Sequence, residues 1–175
     1  MAVLVEAISV IIRRDAVETK YPNGLSGFVN DCPNKTFCSD GDLVRIGFMT
    51  PQDTEIFCDR LVDLGFDDFE VGPGEDFVVV DQLCGPTTEC DWIKVFDHHI
   101  NDLKVKACEL IGSNNSQWAT PDGWEPATSL SCSFAWIPND QLESSLIFLR
   151  QREDGTEEYL NRLTGDKLWL GRTNF

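Results

Sequence analysis

Val3-Leu4-Val5-Glu6-Ala7-Ile8-Ser9-Val10-Ile11-Ile12 decides how this chain folds, because nearly every position is apolar and many are β-branched. Such a run fits a strand buried on both faces and central in a sheet, not one that shows alternate residues to water. It lacks a basic start, carries Glu6 in its middle and ends at Arg13-Arg14 with no small-residue cleavage site. It therefore reads as a buried strand and not as a secretion signal. No stretch approaches the ~18 uninterrupted apolar residues of a membrane-spanning helix, so no membrane association is expected.

Working outward, Asp15 and Glu18 offer a capping pair for a short helix, Pro22-Asn23-Gly24 breaks it, and Leu25, Phe28 and Val29 resume a helical turn. Asp42 to Met49 reads as a second strand. Thr50 can cap the helix that follows, with Pro51 at its first position and Asp53 at its third. Ile56, Phe57, Leu61 and Leu64 make one apolar face of that helix, Asp53, Asp59, Arg60 and Asp63 the solvated one, and Gly65 closes it.

Phe77-Val78-Val79-Val80 is too short and too β-branched for a helix, and Asp91 to Phe96 alternates polar with apolar, so the two are expected to pair as a hairpin. Leu103 to Ile111 alternates likewise. From Asn114 to Thr128 the chain is rich in Asn, Ser, Pro and Gly, which predicts an exposed loop anchored by Trp118 and Trp124. Ser129 to Trp136 has a period of two. Leu146 to Glu153, Glu157 to Leu163 and Lys167 to Leu170, separated by Asp154-Gly155 and Thr164-Gly165, predict an antiparallel meander. The spacing Leu142, Leu146, Leu149 also fits a helix. Together these elements predict one α+β domain over residues 1–175: a mixed, mainly antiparallel sheet, two or three helices on one face and a C-terminal antiparallel meander.

The seven cysteines (Cys32, Cys38, Cys58, Cys84, Cys90, Cys108 and Cys132) form no CxxC pair, and several sit in apolar runs. A free thiol in such a run behaves as a small hydrophobe, so the pattern predicts reduced cysteines and a cytoplasmic protein.

Fourteen basic and thirty acidic side chains leave a net charge of −16, and residues 53 to 109 hold fifteen of the acids against four bases. That field repels phosphate backbones and anionic lipid and steers basic partners inward, so nucleic acid is not an expected partner and a basic protein is. The expected binding surface combines Asp59, Asp63, Asp67 and Asp68 with Trp118 and Trp124, since tryptophan anchors interfaces and complementary charge speeds encounter. No cofactor is implied. No GxSxG, P-loop, GxGxxG or HExxH pattern occurs. On this reading the chain is a non-catalytic binding module or an inhibitor of a basic protein.

The alternative rests on Asp97-His98-His99, which holds both histidines of the chain and follows a predicted strand. Histidine and carboxylate are ligands for manganese or zinc. This tripeptide resembles the signature of the DHH phosphoesterases; Ser39-Asp40-Gly41-Asp42 resembles that family's first aspartate motif, and Val79-Val80-Asp81 its strand-terminal aspartate. The resemblance spans residues 39–99 and implies a metal-dependent hydrolase of phosphodiesters with Asp40, Asp42, Asp81, Asp97 and His98 as ligands. The sequence departs from the pattern before Asp40, where Asn34-Lys35-Thr36-Phe37-Cys38 stands in place of a histidine-bearing buried strand.

Overall fold

The computed structural model describes residues 2–67, 76–100, 103–113, 118–126, 129, 146–151, 157–162, 165 and 167–170. Over these the chain is α+β, with mainly antiparallel sheets and three helices. The opening apolar run is buried as expected, but it is two strands: β1 (Ala2–Val5) and β2 (Ile8–Arg13). They belong to different sheets. The break falls at Glu6-Ala7, where Ala7 takes a left-handed φ of 50°.

A buried bend must satisfy its own backbone groups, and side chains do so here. The Glu6 amide donates to Ser9 Oγ (3.3 Å), whose hydroxyl donates back to the Glu6 carbonyl (3.0 Å). The Ala7 amide donates to Gln82 Oε1 (2.8 Å), and the Gln82 amide donates to the Ala7 carbonyl (2.9 Å). Left-handed backbone costs a non-glycine residue roughly 1–2 kcal/mol, so these bonds hold the bend in place.

β2 is the centre of a five-stranded sheet. With β3 (Cys38–Ser39), β4 (Leu43–Phe48), β5 (Phe77–Asp81) and β6 (Gly85–Pro86), the order is β3-β4-β2-β5-β6. β4 and β5 flank β2 and run antiparallel to it, from Ile8 opposite Phe48 and Asp81 to Ile12 opposite Val44 and Phe77. Alternation then sorts the side chains. Val10, Ile12, Val44, Ile46 and Phe77 face the helices α1 (Arg14–Lys20), α2 (Gly24–Asn30) and α3 (Pro51–Asp63), meeting Val17, Phe28, Phe57 and Leu61.

Ile11, Leu43, Val78 and Val80 face the other way, onto Val3, Val5, Ile93 and Cys108 of a four-stranded sheet. That sheet has the order β7-β8-β1-β9, formed with β7 (Ile93–Ile100), β8 (Leu103–Leu110) and β9 (Trp118–Ala119). The five-stranded sheet is thus covered by helices on one face and by the second sheet on the other.

Two expectations are corrected. Phe77–Val80 and Asp91–Phe96 do not pair: β5 takes the free edge of β2, and β7 pairs with its sequence neighbour β8, from Ile93 opposite Leu110 to Ile100 opposite Leu103. Asp15 does not cap α1, which starts directly off β2. The Arg14 amide instead donates to the Asp42 carbonyl (3.0 Å), and Glu18 Oε2 accepts from the Leu25 amide (3.3 Å).

The C-terminal meander is present as β10 (Leu146–Gln151), β11 (Glu157–Asn161) and β12 (Lys167–Leu170), so Leu146 and Leu149 are on a strand. The period-two run Ser129 to Trp136 lies outside the described residues, Ser129 apart. Among the described residues no helix is long and apolar enough to cross a membrane. Cys32, Cys38, Cys58, Cys84, Cys90 and Cys108 carry free thiols.

Candidate functional site

The charged face of α3 follows from its local sequence. Thr50 Oγ1 accepts from the Asp53 amide (3.2 Å) and donates to Asp53 Oδ2 (2.8 Å), a reciprocal cap with Pro51 at the first helical position. Thr54, Phe57 and Leu61 turn inward and are buried, which leaves Glu55, Ile56, Asp59 and Asp63 facing water. Glu55, Asp59 and Asp63 follow one another at i, i+4. None of the three makes an ion pair among the described residues; the one cation on that helix, Arg60, turns to Asp31 (3.5 Å).

Asp67 is committed elsewhere. Lys20 Nζ bridges Asp76 (2.6 Å) and Asp67 (2.9 Å), and the hydrogen bonds it donates to those two carboxylates, Asp76 first, raise the Lys20 pKa. Asp67 therefore ties α1 to the ends of the 67–76 segment. Asp68 lies outside the described residues.

The two tryptophans are half-buried and turned to internal partners. Trp118, on β9, stacks on His98 with ring centroids 4.7 Å apart and planes 26° from parallel. Trp124 donates its indole N–H to Glu6 Oε1 at 3.1 Å.

The candidate metal ligands do not converge. Asp40 Oδ1 accepts from the Asp42 and Leu43 amides (2.9 and 2.8 Å), shaping the turn into β4, and Asp42 Oδ2 accepts from Ser113 Oγ (2.6 Å). That turn lies at the Arg13 end of β2, whereas Asp81 pairs with Ile8 at the other end, roughly 17 Å away at ~3.4 Å per residue. Asp97 sits between Lys104 (2.7 Å) and Lys106 (2.6 Å) of β8, whose hydrogen bonds hold its pKa down at about 2. His98 lies against Trp118. Among the described residues, which include all five candidates, no three metal-ligating side chains come together.

The structure brings together Glu6, Arg45 and Trp124 beside the β1–β2 bend, of which sequence reasoning singled out Trp124 alone. Alternation on β4 sends Arg45 away from the helices, and only 2% of its surface is exposed. Its Nε donates to Ser9 Oγ (3.1 Å), Nη1 to the Thr36 carbonyl (2.9 Å) and Nη2 to the Glu6 carbonyl (3.0 Å). Burial lowers its pKa, opposed by the fields of Cys38 and Glu6.

The Glu6 carboxylate, 5% exposed as a residue, accepts from Trp124 and from Ser129 Oγ. Arg45, Glu6 and Trp124 line a cavity of about 190 Å³ with Phe48, Met49 and Asp122. The legible signal was a single charge inside each of two apolar runs, Glu6 within Val3 to Ile12 and Arg45 within Leu43 to Met49. Compared with protein-family models, curated proteins and solved structures, the chain shows no match, so its site is read from its own residues.

Proposed function

We propose that this chain is a non-catalytic binding module, or an inhibitor, that offers the outer face of α3 to a basic protein partner. One observation carries the reading: Glu55, Asp59 and Asp63 form an uncompensated acidic row beside Ile56, which is 50% exposed. Like charges at i, i+4 each cost a helix roughly 0.2–0.5 kcal/mol, and Asp63 lies at the C-terminal end, where the helix dipole disfavours an anion. A row that weakens its own helix, flanking an exposed isoleucine, suits a cationic surface with an apolar centre. The acidic excess over residues 53–109 supports the same reading by steering such a partner.

The test is affinity capture at low salt, followed by measurement of each captured protein against wild type and the triple variant E55Q/D59N/D63N. Basic partners whose affinity falls with added salt and falls about tenfold or more with the triple variant are expected. Capture confined to neutral or acidic proteins, or equal binding by the variant, would defeat the proposal.

A further inference from the structure

We infer that the cavity between Arg45 and Trp124 binds a small zwitterion of the amino-acid class, its carboxylate on the Arg45 guanidinium, its ammonium toward Asp122 and its apolar body against Trp124, Phe48 and Met49.

The argument starts from the cation. Arginine carries five N–H donors, and Arg45 commits three of them, all to uncharged oxygens. One N–H remains on each terminal nitrogen, and no carboxylate of the described residues lies within ion-pair distance of the group. A buried arginine without a contacting anion is costly, and a carboxylate spanning both terminal nitrogens is its strongest complement. Glu6 does not fill that role. Its field reaches Arg45, but its contacts include Trp124 and Ser129.

The cavity sets size and charge. At about 30 Å³ per water in the liquid, its volume of about 190 Å³ holds about six water-sized groups, the scale of a small amino acid. A simple anion would meet the fields of Glu6 and Asp122, and a simple cation would meet Arg45. A molecule carrying both charges complements both, since Asp122 is exposed on the wall that also presents Trp124. The braced bend at Glu6-Ala7 holds this corner in place before any ligand arrives, which lowers the entropic cost of binding.

The experiment titrates the ¹⁵N-labelled full chain with L-alanine and L-leucine and follows the Arg45 Nε–H and Trp124 Nε1–H signals. Isovalerate and isoamylamine, each with an apolar body like that of leucine and a single charge, are run alongside. Saturable shifts of both signals with an amino acid are expected, with each single-charge probe about tenfold weaker or worse. Replacing Arg45 risks the fold, so the variant is Asp122→Asn on the exposed turn, expected to weaken amino-acid binding about tenfold. Unmoved signals with both amino acids, isovalerate binding as tightly as leucine, or an unaffected Asp122→Asn variant would each overturn the inference.

Discussion

The Arg45 guanidinium lies so close over Gly47 that a Cβ at position 47 would stand 2.8 Å from its Cζ. Arg45 is pinned by three hydrogen bonds, and the Gly47 backbone is held by Thr36 Oγ1 (2.7 Å) and Asn34 Nδ2 (2.8 Å), so neither side yields cheaply. Gly47→Ala is expected to cost about 1–3 kcal/mol, as overpacking does, and to broaden or shift the Arg45 Nε–H signal. Urea denaturation and the same NMR spectrum check both parts.

Gly27 is the harder case, because the obstacle is backbone. A Cβ there would fall on the Pro22 carbonyl, 3.1 Å from its carbon, with no flexible side chain to move aside. Gly27→Ala should therefore destabilise by about 3 kcal/mol, at the top of the overpacking range. A midpoint lowered less than that of Gly47→Ala would contradict the ranking.

Thr50 fastens the start of α3. Thr50→Ala is expected to cost about 1 kcal/mol and Thr50→Ser far less, since only the first loses the oxygen that accepts from Asp53. Hydrogen exchange should quicken at the Asp53 and Thr54 amides in the alanine variant.

Among the described residues, two carboxylates are held low enough to add an acid-sensitive contribution to stability. Asp97, hydrogen-bonded by Lys104 and Lys106, and Glu158, by Lys167 (2.8 Å) and Arg150 (2.5 Å), both have pKa values near 2. A folded pKa below the unfolded value of about 4 means stability that is fully present above pH ~4 and lost as pH falls through 2. Carboxyl titration by NMR should find both midpoints low, and K104M/K106M should raise that of Asp97 while leaving Glu158 unchanged.

Thiol reactivity should divide by burial. Desolvation pushes Cys32 up to about 12 and Cys38 up to about 11, and raises Cys108 as well, whereas Cys84 is exposed. Because the thiolate is the nucleophile, iodoacetamide at pH 8 is expected, among the described cysteines, to label Cys84 first and to spare Cys38 and Cys108 until the chain unfolds. Mass spectrometry of a time course shows the order.

α3 was legible because its signals are local. A cap, a proline and a 3.6-residue apolar spacing all lie within residues 50–65, and they favour a helix before any tertiary contact forms. The meander was legible for a similar reason, since turn dipeptides separate strand-length segments. α1 was misread at its start because its first amide finds the Asp42 carbonyl, a partner 28 positions away in sequence, where a side-chain cap was expected. The candidate ligands were chosen by residue type and order, and strand register then placed Asp42 and Asp81 at opposite ends of β2.

Residues 3–12 show where sequence stops and tertiary structure begins. Their composition alone determined that the segment is extended and buried, because a run of β-branched apolar residues has no other low-energy place to go. The partition into two strands needed Gln82 and Arg45, besides the nearby Ser9, to satisfy the backbone at Glu6-Ala7, and those two arrive from distant positions only when the sheets assemble. The same assembly turned Glu6 of the bend and Arg45 of β4 into the walls of one cavity. Long-range hydrogen bonding decided that, and no local propensity encodes it.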